Sequence, residues 1–200
     1  MPLTIERSSV ARKLKAQTHT LHQESEKLLI PKLQQIGSAK DYAAILKTFY
    51  GFYHPLEQIL PGYITPAHLP DMDGRLKSHL VLKDLTALGR EEGQPSGQPI
   101  PLCTELPRVA SLPEALGCLY VLEGSTLGGR VISKMLLQHK AAGLTQEHLH
   151  FFSGYGDETG AKWNAVLHLL EQFPGESSAV IQGANQTFLS FKNWILITLY

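Results

Sequence analysis

Three glycines, Gly124, Gly128 and Gly129, interrupt an apolar helical pattern in Leu119-Tyr-Val-Leu-Glu-Gly-Ser-Thr-Leu-Gly-Gly-Arg-Val-Ile132. Each glycine inside a helix costs about 1 kcal/mol relative to alanine, so a cluster of them needs a cause. A kink, a close helix crossing or a backbone lying flat against a ligand would each supply one. A second set lies near the N-terminus. Lys15, Thr18, His22, Glu26 and Leu29 follow one another at offsets of three or four and share one helix face. The i, i+4 spacing of His22 and Glu26 lets a carboxylate reach the ring nitrogen that a ligand does not use, which orients a metal-bound imidazole. A single histidine without a companion Cys, His or carboxylate cluster is a poor zinc site. It suffices for a heme iron, whose in-plane ligands come from the porphyrin.

Plainer readings stand beside these. The His22–Glu26 pair reads equally as surface stabilisation, the glycine cluster as a tight crossing, and Lys15 as a solvated residue. His19 lies one turn before His22, but Gln23 occupies the position four residues on, so His22 is preferred. His54, His68, His79, His139, His148, His150 and His168 form no closer cluster and read as structural or solvated.

The 200 residues, 43% hydrophobic and 18% charged, are enough for one globular domain with a sizeable core. Eighteen basic and 18 acidic residues give a formal net charge of zero, without the basic excess of a nucleic-acid binder. Cys103 and Cys118 lack metal-ligand spacing and suit reduced thiols, with Cys118 in the core. No apolar run approaches membrane-spanning length and no signal-like segment opens the chain, so a soluble cytoplasmic domain without membrane insertion is expected.

The elements that must position these residues are helical throughout. The first helix is expected from Ser8 or Ser9 to Leu29, stopped by Ile30-Pro31. A second opens at Ser38-Ala-Lys-Asp41, which resembles a capping box, and Pro55 bends it. A third runs around Arg75 to Leu88 and is closed by Gly89. Residues 91–107 read as an exposed loop. A central helix spans about Pro113 to Lys140, a short one Thr145 to Phe152, and two more cover Thr159 to Phe173 and Glu176 to Ile197. No period-two segment supports a sheet. The fold class is all-α: a single domain over residues 1–200, with a glycine-kinked central helix and a flexible segment at about 1–8.

The stretches Leu14-Lys-Ala-Gln-Thr-His-Thr-Leu-His22, Tyr50-Gly-Phe-Tyr-His-Pro-Leu-Glu57 and Tyr120-Val-Leu-Glu-Gly-Ser-Thr-Leu-Gly-Gly129, with Gly154-Tyr-Gly-Asp-Glu-Thr-Gly-x-x-Trp163, carry a resemblance. In that order and spacing the chain resembles the heme oxygenase family, in its bacterial biliverdin-producing branch, from about Leu14 to the last helix. The resemblance implies a heme oxygenase-like helical bundle and O2- and electron-dependent opening of the heme macrocycle at a meso carbon. The implied products are biliverdin, CO and ferrous iron, and the resemblance implies iron protoporphyrin IX as both substrate and cofactor. It implies His22 as proximal heme-iron ligand, Glu26 as its hydrogen-bond partner and Lys15 as the propionate-pairing lysine. It also implies Tyr120 as a heme-pocket residue and Gly124, Gly128 and Gly129 as distal-helix backbone over the heme face. Ser125 stands where many members carry an aspartate that anchors distal water. Gly124, Ser125 and Gly128 are the candidate catalytic positions. Phe188 and Phe191 read as heme-pocket wall or as core.

A neutral imidazole pushes less electron density onto iron than a thiolate, so O–O cleavage is less favoured and oxidation of the porphyrin edge can compete. No Gly-x-Gly-x-x-Gly fingerprint for a bound nucleotide is present, so electrons are expected from an external donor, a reductase or ferredoxin. Arg12, Lys13 and Lys15 are candidates for docking it. A biliverdin-using phytochrome is a possible consumer of the product. The alternative reading is a heme carrier or sensor on the same scaffold.

Overall fold

The structure is a computed structural model that describes residues 9–91, 99–138 and 143–200. The expected flexible segment at 1–8, the middle of the 91–107 loop, and His139 lie outside the described residues. Among the described residues seven α-helices carry the fold: α1 (Val10–Gln34), α2 (Ala39–Ile59), α3 (Ser78–Glu91), α4 (Leu112–Gln138), α5 (His150–Ser153), α6 (Thr159–Leu170) and α7 (Ser177–Leu199). No strand occurs among the described residues. None of these helices is long and apolar enough to cross a membrane.

The α7 helix is the pillar on which α4 and α1 pack most extensively. Its crossing with α4 is made by two glycines. A Cβ on Gly117 would collide with the Val180 carbonyl, and one on Gly183 with the Glu114 carbonyl. The two backbones are therefore in direct contact, which only glycine on both sides permits. Around them Leu116, Cys118, Val180 and Ala184 are fully buried.

Three helix starts are satisfied from elsewhere in the chain, since the first N–H groups of a helix have no partner within it. The Glu171 carboxylate accepts from the N–H groups of Val10 and Ala11, both at 3.1 Å. Buried Glu57 accepts from Lys77 N–H at 2.6 Å and Ser78 N–H at 3.0 Å, which fixes the start of α3. Asp84, fully buried on α3, accepts from the N–H groups of His150 and Phe151, both at 2.9 Å, and starts α5. Local caps also operate: Ser38 Oγ accepts from Asp41 N–H at 3.2 Å, as its sequence suggests.

Four expected boundaries are corrected. Pro31 does not end α1, which runs one turn further to Gln34 because Leu33, 1% exposed, is anchored in the core. Gly89 lies inside α3, held by the buried Leu88 beside it. Residues 72–75 form a separate 3-10 turn, so α3 begins at Ser78 where Glu57 caps it. The described part of the 91–107 loop is not simply exposed: Cys103 N–H bonds the Gly51 carbonyl at 2.8 Å, and Cys103 and Pro107 are buried. The glycines leave α4 a continuous α-helix from Leu112 to Gln138.

A buried charge cluster ties α4 to the segments beside it. Glu123, 1% exposed, accepts from Arg75 Nη1 at 2.6 Å, from Lys77 Nζ, and from the Tyr155 hydroxyl at 2.7 Å. Arg75 also donates to Asp71 at 2.9 Å, and Lys162 reaches the same carboxylate at 2.7 Å. Burial alone would raise the Asp71 carboxyl, but Arg75 and Lys162 outweigh it and hold it at about 2. Burial pushes Lys77 down, with Glu123 opposing, and pushes Tyr155 upward.

Two substitutions test this framework. Gly117→Ala is expected to cost about 1–3 kcal/mol by overpacking the α4–α7 crossing, read as a lower denaturation midpoint. Glu123→Gln leaves two buried cations short of a countercharge and is expected to cost about 3–5 kcal/mol in the same assay. An unchanged midpoint in either variant contradicts the corresponding contact.

Candidate active site

One cleft of about 810 Å³ opens between α1 and α4, with its inner end walled by α2, α5 and α7. That volume lies in the range of small-molecule and cofactor pockets. Every expected site residue lines it: Lys15, His22 and Glu26 from α1, and Tyr120, Gly124, Ser125, Gly128 and Gly129 from α4. The spacing argument on α1 therefore holds in three dimensions.

The His22 side chain is 53% exposed, and its Nε2 stands 3.4 Å from Glu26 Oε1. That separation is loose for a hydrogen bond. The contact uses the outer ring nitrogen, so coordination through Nε2 would require the carboxylate to move to Nδ1. The ring is otherwise unconfined, with Phe188 at 5.3 Å between centroids and tilted by 41°. Lys15 is exposed on the rim and has no ion-pair partner among the described residues.

The three glycines of α4 divide by what surrounds them. A Cβ on Gly129 would collide with the Phe152 carbonyl, so close packing on α5 accounts for this residue. A Cβ on Gly128 would meet nothing within 4 Å, and one on Gly124 would make only ordinary contact with Trp163 at 3.6 Å. Packing within the protein therefore does not explain Gly124 or Gly128. Both line the cleft, where a missing side chain leaves room for something else.

Ser125 is not a free hydroxyl. Its Oγ donates to the Leu122 carbonyl at 2.7 Å and lies 2.8 Å from the Tyr53 hydroxyl. With the serine proton committed to Leu122, the phenol is the donor of the second bond. Burial raises the Tyr53 pKa, so the phenol keeps its proton. Tyr120 packs on Trp163 at 5.3 Å between centroids, and burial pushes its phenol upward as well.

Sequence reasoning passed over Tyr53 and Lys77 as site residues, yet both line the inner end of the cleft. Tyr53 reads as one more aromatic on the buried face of α2. Lys77 belongs to no motif. The available signal was Glu123, an acid inside a long, largely apolar helix, which demands a buried cation. Phe188 and Phe191 do wall the cleft, and Trp163 does so beside Gly124. Tyr155 and Lys162 belong instead to the charge cluster behind it. His19 lines the cleft beside His22, and no group of three or more His, Cys, Asp or Glu able to hold a metal occurs among the described residues.

Comparison with known proteins agrees with this architecture. A family model described as heme oxygenase matches residues 8–196. A heme oxygenase from Xanthomonas campestris is 31% identical over 156 residues, covering 76% of this chain and 87% of the relative. The heme oxygenase PigA of Pseudomonas aeruginosa is 28% identical over 189 residues, covering 90% and 88%. Among solved structures, a Neisseria meningitidis heme oxygenase with NO and CO bound superposes with a TM-score of 0.75 at 26% identity, covering 95% of this chain and 92% of the other. A Leptospira interrogans heme oxygenase shares the fold, with a TM-score of 0.68 at 17% identity. An all-helical frame, a cleft lined by His22 on one helix and by a glycine-opened helix on the other side, and a family match over nearly the whole length agree: this chain belongs to the heme oxygenase family.

Proposed function

We propose that heme occupies the cleft between α1 and α4, where His22 would hold its iron and Lys15 would pair with a propionate. The observation that carries this is the open space beside Gly124 and Gly128, facing the same cavity as an unconfined imidazole. The cleft is large enough, its inner wall is built from Phe49, Phe52, Phe151 and Phe191, and its rim carries a cation. A flat, apolar macrocycle with anionic substituents on one edge fits those three features.

Heme, when bound, supplies both the iron that activates O2 and the meso carbon that is oxidised. The chain supplies the surroundings. Glu26 orients the imidazole and raises its basicity. The bare backbone at Gly124 and Gly128 would leave room for the macrocycle beside α4. Tyr53 and Ser125 hold a proton at the cleft-lining edge of α4, with the phenol donating to the serine oxygen. The aromatic wall excludes bulk water, which protects the reaction from leakage of reduced oxygen. Electrons come from a separate reductase or ferredoxin, and a biliverdin-using phytochrome is one consumer of the product.

Hemin added to the purified protein is expected to give a histidine-ligated Soret band. Ascorbate under O2 should then bleach that band as biliverdin absorbance rises; a Soret band that persists would identify a carrier instead. His22→Ala should abolish turnover, with partial rescue by added imidazole, and full activity in this variant would exclude His22. Gly128 and Gly129 should respond with opposite signs. Gly128→Ala is expected to stabilise the heme-free protein by up to about 1 kcal/mol while weakening heme binding. Gly129→Ala should destabilise the fold by about 1–3 kcal/mol, and equal behaviour of the two in thermal melts and heme titrations would refute the division.

A further inference from the structure

We propose that the outer ridge of α7, from Leu189 to Tyr200, docks on an anionic lipid surface. Leu189, Leu196, Ile197 and Tyr200 are exposed, Ile197 at 72% and Tyr200 at 64%. With about 100° between successive residues, the four share one arc of the helix, about 16 Å long. Leu102 is exposed at the same end of the molecule, because Pro101 and the Trp194 ring of α7 both crowd Gly51. Of the other large apolar residues exposed among the described ones, Ile30, Leu127 and Val131 line the cleft and Leu82 is on α3. The ridge therefore gathers the rest. Scattered exposed aliphatics need no explanation, but a cluster marks an interaction surface.

Lysines edge this ridge on both sides. On one side α1 runs along α7: Lys192 pairs with Glu24 at 3.0 Å, and the Tyr200 hydroxyl donates to the Leu28 carbonyl at 3.0 Å. Exposed Lys27 lies between those two contacts, and Lys32 Nζ sits 3.8 Å from the Tyr200 ring centroid. On the other side Thr48 of α2 bonds Thr198 at 2.9 Å, and its carbonyl accepts from Trp194 Nε1 at 2.9 Å. Exposed Lys47 is its neighbour. Lys27, Lys32 and Lys47 have no ion-pair partner among the described residues. The nearby acids are engaged, Glu24 by Lys192 and Asp41 by Ser38 and the Gly37 N–H. In a chain of zero formal net charge this is a local cationic excess.

Charge complementarity decides the occupant. A second copy of the chain would set lysines against lysines around a shared apolar centre, which like-charge repulsion opposes. An anionic bilayer surface meets both demands in one plane. Aliphatic tips enter the acyl boundary while lysine stems lie along it and place their ammonium groups among the phosphates. Tyrosine suits the same depth, with an apolar ring and a polar tip. Phe188 and Phe191, on the largely opposite arc of α7, wall the cleft, so docking leaves the cleft open whatever it holds.

The heme-free full chain is sedimented with vesicles of equal parts phosphatidylglycerol and phosphatidylcholine, and with phosphatidylcholine alone. Partitioning should be at least 10-fold greater with the anionic vesicles and should fall as salt is raised. Leu196→Ser with Ile197→Ser should lower it at least 10-fold, and so should Lys27→Glu with Lys47→Glu. Leu82→Ser should change it less than 3-fold. Melting temperatures of the variants should match the unmodified protein; if the serine pair melts lower, the lysine pair alone decides. Failure to sediment with anionic vesicles, equal binding to both vesicle types, or binding that survives the lysine changes would overturn lipid docking. A lipid-free dimer in sedimentation equilibrium that the serine pair abolishes would overturn it too, assigning the ridge to a second copy.

Discussion

Burying Glu123 is the constraint from which the site is built. A carboxylate inside an apolar helix is tolerated only if cations and donors are brought to it. Arg75, Lys77 and Tyr155 are brought, from two segments distant in the chain. Their convergence fixes the height and rotation of α4 one residue before Gly124. The helix can then afford glycines in its next turns, because its position does not depend on the side chains it has given up there. Glu57, capping α3 from α2, holds Lys77 in the same frame.

The α4 helix serves three environments with three faces. Gly117 and Gly129 let it touch the backbones of α7 and α5, where any side chain would collide. Gly124 and Gly128 leave space over the cleft. Arg130 and Lys134 face solvent. The same residue type thus answers two opposite demands, contact without a gap and a gap without contact. Only the neighbours of each position tell them apart.

At Ser125, donor capacity beside the cleft is completed from a second helix. Ser125 cannot hold a charge as an aspartate would, and its proton is engaged by Leu122. The phenol of Tyr53, kept protonated by its burial, comes to the same point from another helix. Donor capacity beside the cleft is therefore shared between α2 and α4.

Much of this was legible in the chain itself. Helix-period patterning determined the all-α class, since apolar spacing along each segment follows directly from which face is buried. Offsets of three and four placed Lys15, His22 and Glu26 on one face of α1 before any contact was known, because helix geometry is local. Boundaries set by distant groups were not legible. Pro31 was overridden by the burial of Leu33, and α3 waits for Glu57 from α2 before it starts. Nor could the sequence separate Gly128 from Gly129, adjacent and identical, or assign Tyr53 and Lys77 to the cleft. Local spacing is a property of consecutive residues. Which carbonyl, cation or empty space stands opposite each one is decided only when helices far apart in the chain pack together.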